Sequence, residues 1–344
     1  MNTTQSKPQT EKSLSIDIGY GDVKVIGDGK SSAFLSGYAP FSETDIGFGH
    51  AYGLRIVIPE KSLVLGPVIV GDRARTYPNY YEPSGDFRLG SDEALPLLAQ
   101  AILEMGMSGE IVLSTGAPLS LYKREKLAAK NWEGIHLNVN STDGRSHSVY
   151  ISKVVTRPQG VAAAIALVGR KLIPREPGIG LIVDVGSRTT DVVAISLETL
   201  DPIPNLCFSI QAGVATMLNN LSDLIANQVG GFPPQRAMLL RVMNKSEYTF
   251  SGRKVELLPL VEKARNAVAG GITHEIRRRL GAEIDQVIAV AGAGGGALPV
   301  LLGKAIRDIV PHIDAIILPG DGPRYLNVEG YDLVAGQLIS AGLK

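Results

Sequence analysis

Two copies of one short motif constrain the fold of this chain more than any other feature. The first copy reads Asp-Ile-Gly-Tyr-Gly-Asp-Val-Lys over residues 17–24, and the second reads Asp-Val-Gly-Ser-Arg-Thr-Thr-Asp over residues 184–191. In both copies an apolar run leads into the first Asp, glycine stands two positions after it, and a charged residue stands seven positions after it. An apolar strand, a glycine-containing turn and a second strand predict a hairpin at each copy.

The turn of each hairpin is suited to binding phosphate. Glycine lets backbone N–H groups face an anion without a Cβ in the way, and successive turn amides form an anion-binding concavity. An Asp at the end of each first strand would hold a hydrated divalent cation against the phosphates, because Mg²⁺ prefers oxygen ligands and keeps several waters. Two such hairpins facing each other predict a nucleotide clamp.

The predicted elements alternate between strands and helices, and the series starts again at residue 180. We predict strands over residues 14–18, 23–26, 33–38, 54–58, 63–70, 111–114, 192–197, 287–290 and 315–318, with a further strand from residue 180. We predict helices over residues 93–105, 119–132, 159–170, 214–229, 234–243, 258–280, 298–310 and about 329–340, and hairpin turns at residues 142–145 and 251–252. This order predicts two related α/β halves packed around a shared cleft.

The domain organisation expected from the repeat has four parts. In chain order they are a disordered tail over residues 1–12, a first domain over residues 13–179 with a small inserted subdomain at about 35–90, a second domain over residues 180–325 with an inserted subdomain at about 215–285, and a C-terminal helix over residues 326–344 that packs back on the first domain.

Composition excludes several other classes of protein. The formal net charge of the 344 residues is zero, which argues against direct binding to nucleic acid, because contacts with phosphate backbones need clustered Lys and Arg. Cys207 is the only cysteine, so neither an internal disulfide nor a thiolate metal cluster is expected. No apolar run approaches the roughly 18 residues that a membrane-spanning helix needs. We therefore expect a cytoplasmic protein without a membrane contact.

Two other nucleotide motifs match only in part. The segment Gly29-Lys30-Ser31 ends like a P-loop, but that motif requires glycine at position 24, where this chain has Lys. Residues 292–297 satisfy G-x-G-x-x-A after a predicted strand, yet fewer than 50 residues follow them. That is too short for a Rossmann domain on the C-terminal side, so a dehydrogenase is not favoured.

The chain resembles the actin superfamily in the motifs it carries and in their order. Beside the two hairpins, these are Arg157-Pro158-Gln159-Gly160, the triple glycine at residues 294–296, and Asn327-Val328-Glu329-Gly330-Tyr331. Within the superfamily the chain is similar to bacterial and archaeal actin-like proteins of the plasmid-segregating ParM/StbA type, as shown by the Asn-x-x-Gly-Tyr ending and by residues 213–218. The resemblance spans about residues 14 to 342. It implies two actin-like (ribonuclease H-like) α/β domains around a nucleotide cleft.

The resemblance also implies roles for individual residues, with ATP and Mg²⁺ as cofactors. Asp17 and Asp184 would hold Mg²⁺ through water, Lys24 would neutralise phosphate charge, and Gln159 would orient the attacking water. ParM-like relatives often carry Glu at the position of Gln159, a departure that bears on the rate of hydrolysis. The other residues implied in nucleotide binding are Gly19, Tyr20, Gly21, Gly186, Ser187, Arg188, Thr189 and Thr190 at the phosphates, Glu262, Arg265 and Asn266 at the ribose and adenine, and Gly292, Ala293, Gly294, Gly295 and Gly296 beside the base.

The function implied by the resemblance is that of an ATPase that polymerises when it binds nucleotide and disassembles after hydrolysis. Plasmid or DNA segregation, or a related cytoskeletal task, is the expected role, with DNA reached through an adaptor protein. Head-to-tail contacts between subunits are expected in regions 40–90 and 233–256. A small-molecule kinase of the sugar-kinase type is the alternative, since the same fold supports it. A chaperone-type ATPase or a cell-shape protein of the MreB type fits the sequence less well.

Overall fold

The computed structural model describes two compact units of this chain. The described residues are 12–42, 52–77, 79–82, 89–296, 302, 305, 307–316, 318 and 320–342. The first unit takes its described residues from Met1–Ala117, Leu121–Pro158 and Val328–Lys344, and the second takes them from Pro118–Ser120 and Gln159–Asn327. The helical segment Val161–Gly169 thus belongs to the second unit, whereas the predicted domain boundary lies between residues 179 and 180.

The first unit is built on one mixed sheet. Its strands are β1 (Lys12–Ile18), β2 (Asp22–Gly27), β3 (Lys30–Leu35), β4 (Tyr38–Pro40), β5 (Leu54–Ile58), β6 (Leu63–Val70), β7 (Gly109–Ala117), β8 (Ile135–Ser141) and β9 (Ser146–Pro158). Their order across the sheet is β3-β2-β1-β7-β9-β8-β5-β6-β4. Two α-helices lie wholly within this unit among the described residues, α1 (Leu95–Met105) and α2 (Tyr122–Ala129), and a 3-10 turn at Lys130–Trp132 follows α2.

Alternation along β1 determines what each face of this sheet contacts. Leu14, Ile16 and Ile18 belong to a buried apolar cluster that also contains most of α1. Residues 13, 15 and 17 share the opposite face, because successive side chains of a strand point to opposite sides. On that face, Ser15 Oγ donates a hydrogen bond to Asp332 Oδ1 at 3.1 Å. The face that carries Asp17 is therefore the one covered by the C-terminal helix.

The second unit has a smaller sheet with helices around it. Its strands are β10 (Ile179–Val185), β11 (Thr190–Ser196), β12 (Phe208–Ile210), β15 (Val287–Ala293) and β16 (Ala315–Ile316), in the order β12-β11-β10-β15-β16. A separate hairpin is formed by β13 (Glu247–Phe250) and β14 (Arg253–Glu256). The helices are α3 (Val161–Gly169), α4 (Val214–Val229), α5 (Arg236–Val242) and α6 (Leu257–Leu280), and α7 (Gly322–Ser340) begins in this unit and continues in the first.

Most of the predicted elements are confirmed, and the differences have local causes. The final helix begins at Gly322 rather than at residue 329, since Pro323 occupies the first turn, where proline is tolerated. The strand predicted over 315–318 is reduced to Ala315–Ile316. The helix predicted over 298–310 falls largely outside the described residues, and the described residues 307–310 form turns and a bend.

The inserted segment of the first unit extends the main sheet. Strand β5 pairs with β8 in antiparallel register, with Leu54 opposite Ser141, and β6 and β4 follow outward. The segment was predicted to form a small inserted subdomain. In the structure its strands continue the main sheet beyond β8. Within the described residues, no helix combines the length and the apolar character needed to cross a bilayer.

Candidate functional site

In the first acidic hairpin the buried ammonium group of Lys24 lies between two carboxylates. Asp17 stands directly opposite Lys24 in the pairing of β1 with β2. Lys24 Nζ lies 3.5 Å from Asp17 Oδ2 and 3.2 Å from Asp22 Oδ1. Only 3% of Asp17 and 7% of Lys24 are exposed. Buried charges are stable only when they are paired, so this arrangement fixes one positive charge at the start of the turn.

The turn of this hairpin requires glycine at its first position. The N–H of Gly19 donates to Asp22 O at 3.1 Å. A Cβ at Gly19 would lie 2.8 Å from Asp22 O and 3.2 Å from Lys24 Nζ. Tyr20 and Gly21 complete the turn and are half-buried. The structure therefore brings the predicted residues of the first hairpin together, and their role toward phosphate stays a prediction.

The second acidic hairpin is closed by its own turn and by α4. The N–H of Gly186 donates to Thr189 O at 2.9 Å. The first N–H groups of α4 donate to the turn carbonyls, Val214 N to Gly186 O at 3.2 Å and Ala215 N to Ser187 O at 2.8 Å. A Cβ at Gly213 would approach Gly186 O to 2.6 Å. Close packing of the helix start against the turn thus depends on glycine at position 213.

This hairpin has a second acid where the first hairpin has Lys24. Asp191 stands directly opposite Asp184 in the pairing of β10 with β11. Burial raises the pKa of the Asp191 carboxyl, and the hydrogen bond that Ser209 Oγ donates to it opposes this shift. The two hairpins therefore share a backbone pattern but differ in charge.

The glycine turn after β15 folds back on the end of β10. Gly294 has φ +79°, and a Cβ on it would lie 2.4 Å from Asp184 Oδ1. Its N–H donates to Pro323 O at 2.9 Å, and the N–H of Gly296 donates to Val185 O at 3.0 Å. The predicted residues of this turn up to Gly296 are thus placed beside Asp184. Position 294 requires glycine for both its backbone angle and this contact.

The peptide directly after Gln159 is linked to Asp184 by Asn327, a residue for which the sequence predicted no role. Gly160, directly after Gln159, has φ +77°, and a Cβ on it would lie 2.5 Å from Val193 Cγ2. The N–H of Gly160 donates to Asn327 Oδ1 at 2.9 Å, and Asn327 Nδ2 donates to Asp184 Oδ2 at 2.6 Å. The Asn-x-x-Gly-Tyr ending was the available signal for Asn327, and the pattern alone did not predict its partners.

The residues predicted at the ribose and adenine lie on α6, which packs against α4. Glu262 and Asn266 are exposed, and Arg265 is half-buried. Their positions are one helical turn apart, so they lie on neighbouring parts of one helix surface. Contact of these residues with a nucleoside stays a prediction.

The Mg²⁺ prediction requires only that Asp17 and Asp184 hold the ion through its waters. Among the described residues, no group of three or more His, Cys, Asp or Glu side chains is arranged to hold a metal ion. Magnesium needs only one or two carboxylates when it keeps its waters. Asp184 is 8% exposed, and its Oδ2 accepts a hydrogen bond from Asn327 Nδ2 at 2.6 Å.

The chain is similar to known proteins both in sequence and in structure. The family model of the N-terminal domain of actin like proteins matches residues 15–161, and the model of the C-terminal domain of the MreB-like archaeal actin homologue matches residues 182–308. An archaeal actin homolog of Thermoplasma volcanium is 35% identical over 330 residues, which cover 92% of this chain and 97% of that protein.

Two solved structures show the same fold. The crystal structure of an archaeal actin homolog in complex with ADP superposes with a TM-score of 0.81 at 32% identity, covering 95% of this chain and 99% of that one. A subunit of the 15-stranded ParM filament from Clostridium botulinum superposes with a TM-score of 0.77 at 20% identity, covering 96% and 100%. The predicted fold class, a mixed α/β actin-like fold, is confirmed by these matches.

Proposed function

This chain belongs to the actin-like protein family, with archaeal actin homologs among its relatives, and on that premise we propose that it is an ATPase that forms nucleotide-dependent filaments. ATP would bind with Mg²⁺, and hydrolysis would favour disassembly. The proposed task is segregation of plasmid or other DNA through an adaptor protein, or a related cytoskeletal role, in the cytoplasm.

The observation that carries this proposal is the buried carboxylate that each unit places directly before a glycine turn. Asp17 is 3% and Asp184 is 8% exposed. Burying a carboxylate costs free energy. Buried ionisable groups are therefore common at functional sites, where a ligand can offset that cost. Both units bury an Asp directly before a glycine turn. This repetition favours binding of a charged ligand over two unrelated Asp residues that only stabilise their own turns.

The proposed site residues supply the groups that phosphoryl transfer needs. Such transfer is catalysed mainly by positioning and by stabilisation of charge, so turn amides, one Lys and a water-orienting side chain are enough. In the proposal Lys24 supplies the positive charge and Gln159 orients the water. Asp17 and Asp184 would hold Mg²⁺ through its waters, and the ion would neutralise phosphate charge.

The relatives support the two halves of the proposal separately. The archaeal homolog was solved with ADP bound, which supports nucleotide binding by a chain of similar sequence. The ParM protein was solved as a filament, which supports self-association on this fold. An open filament needs a heterologous contact between two different surfaces of the subunit.

Replacement of Asp184 tests the nucleotide site. We expect Asp184→Asn to abolish ATP turnover, measured as phosphate release with Mg-ATP, while the protein stays folded, because Asn keeps an acceptor for the Asn327 amide. The matched control is Asp223→Asn, since Asp223 is exposed on α4 and belongs to neither hairpin. Unchanged turnover in Asp184→Asn would remove the assigned site.

Light scattering and negative-stain microscopy with Mg-ATP, with Mg-ADP and without nucleotide test the filament. We expect polymer with triphosphate and its loss as ADP accumulates. A protein that stays monomeric at high concentration and phosphorylates a sugar would contradict the proposal and support the kinase alternative. Controls without Mg²⁺ separate nucleotide-dependent assembly from aggregation.

A further inference from the structure

One buried amide joins two segments of the second unit that the proposed reaction needs. Asn327 lies in α7 and is 4% exposed. Its Nδ2 donates to Asp184 Oδ2 at 2.6 Å, and its Oδ1 accepts the N–H of Gly160 at 2.9 Å. One partner is the carboxylate at the end of β10, and the other is the peptide directly after Gln159.

The two partners need a side chain that both donates and accepts a hydrogen bond. An ionised carboxylate accepts but does not donate, and a peptide N–H donates but does not accept. The side chain between them must therefore donate at one atom and accept at another. This also fixes which way the amide of Asn327 faces, because the reversed orientation would place an oxygen against the carboxylate of Asp184.

Both partners are held from their other sides as well. Gly160 packs against Val193, where a Cβ would approach to 2.5 Å. Asp184 Oδ1 lies against Gly294, whose N–H is bonded to Pro323 O in the first turn of α7. The amide of Asn327 thus connects two segments that are each packed against the second unit on another side.

We propose, on the basis of the proposed ATPase function, that Asn327 is a positioning residue for hydrolysis. It holds the Asp184 carboxylate and the Gln159–Gly160 peptide in one arrangement. The side chain that orients the attacking water is then placed relative to the acid that orients the waters of the cation. Asn327 itself does not need to contact the nucleotide.

The first test is the variant Asn327→Ala. Without nucleotide, we expect the backbone amide of Gly160 to exchange with solvent about tenfold faster or more, measured by hydrogen exchange, because its acceptor is gone. With Mg-ATP, we expect kcat to fall about tenfold or more while the affinity for ADP changes less than about threefold. A general loss of structure would instead lower both together.

The second test is Asn327→Leu, which also covers a failure of the alanine variant to fold. Leucine is close to asparagine in size, so it leaves less empty space than alanine, but it neither donates nor accepts a hydrogen bond. We therefore expect this variant to speed exchange at the Gly160 amide and to lower kcat as the alanine variant does.

Gln100→Ala is the matched control, because Gln100 is a buried amide of the first unit that bonds Tyr52 and Glu104. It is expected to lower stability without changing kcat or exchange at Gly160. Unchanged exchange at Gly160 in Asn327→Ala, or wild-type kcat in both Asn327 variants, would overturn the inference. The exchange measurement needs no nucleotide, so it tests the Asn327–Gly160 hydrogen bond even if the wild-type protein has no ATPase activity. A failure of the proposed ATPase function and a failure of this inference therefore give different results.

Discussion

Asp191 shows how one residue changes the chemistry of a repeated hairpin. It occupies the position that Lys24 has in the first hairpin, directly opposite the strand-end Asp. It is 5% exposed, and Ser209 donates a hydrogen bond to it. Burial without a cation opposite raises the pKa of its carboxyl, whereas the corresponding Lys of the first hairpin forms ion pairs.

This difference predicts a pH-dependent effect of Asp191→Asn on stability. A carboxyl whose pKa is raised on folding contributes stability below its unfolded pKa, and that contribution is lost as the pH rises through the folded pKa. We expect Asp191→Asn to increase the free energy of unfolding above this window, because Asn accepts from Ser209 without a buried charge. The gain should shrink as the pH falls toward the ordinary Asp value of 3.8.

Urea unfolding of both proteins between about pH 4 and pH 8 measures the effect. Asp201→Asn is the control, since Asp201 is exposed in the same unit. If Asp191→Asn destabilised the protein equally at both ends of the range, the carboxylate would be stabilised by a partner rather than penalised by burial.

At this scale the sequence predicted the acidic positions but not their partners. The spacing of the two motifs was sufficient to identify Asp17, Lys24, Asp184 and Asp191 as a related set. The partners of Asn327 lie 143 and 167 residues away along the chain, so no local pattern indicates them. The sequence shows that Lys24 and Asp191, seven positions after Asp17 and Asp184, have opposite charges. Only the strand pairing shows that each is buried directly opposite the strand-end Asp.

Helix α6 carries two adjacent glycines that its own packing does not require. Gly270 and Gly271 lie in the middle of the 24-residue helix and are exposed. A Cβ at either position would meet nothing within 4 Å. Glycine inside a helix costs roughly 0.5–1 kcal/mol relative to Ala, because it loses more backbone freedom on folding.

We therefore expect Gly270→Ala and Gly271→Ala each to raise the free energy of unfolding by about 0.5–1 kcal/mol, measured by denaturant unfolding. Gly160→Ala is the contrasting control. There φ is +77° and a Cβ would lie 2.5 Å from Val193 Cγ2, so that variant should be destabilised. Loss of stability in both α6 variants would mean that another part of the chain occupies this helix surface.

The periodicity of apolar residues predicted where the strands lie, but it did not predict which strands pair with each other in the sheet. The strands at residues 54–58 and 63–70 were both predicted with the bounds that the structure shows. That β5 pairs with β8 depends on register between distant segments, which alternation of apolar residues leaves open. The run of three glycines at residues 294–296 was enough to predict a turn there. The contact of that turn with Asp184 is seen only in the structure.

For the whole molecule, the order of the motifs was more informative than any one of them. Each motif alone matches many unrelated proteins, whereas two acidic hairpins, a Gln-Gly step, a glycine turn and an Asn-x-x-Gly-Tyr helix in this order indicated the actin-like fold. Matches over 92% of the chain to an archaeal actin homolog confirm that family.

Assembly leads to the last prediction, which concerns the most exposed aromatic residue among the described large apolar side chains. Phe232 is 95% exposed, between Gly231 and Pro233. The loop that presents it is fixed on both sides, because Gly230 ends α4 in the left-handed conformation and Ser222 Oγ donates to Pro234 O at 2.7 Å. An aromatic side chain on a fixed loop loses little conformational freedom when it is buried by a partner.

Phe232 adjoins region 233–256, one of the two regions expected to contact a neighbouring subunit. We expect Phe232→Asp to raise the critical concentration for assembly with Mg-ATP about tenfold or more, measured by sedimentation, because a buried contact would receive a charge. Stability and ATP turnover of the monomer should be unchanged, since the side chain makes few contacts in the subunit. Leu127→Asp is the matched control, because Leu127 is 74% exposed on α2, outside both regions. Equal effects of the two substitutions would show that assembly responds to surface charge in general, and normal assembly of Phe232→Asp would exclude this loop from the filament contact.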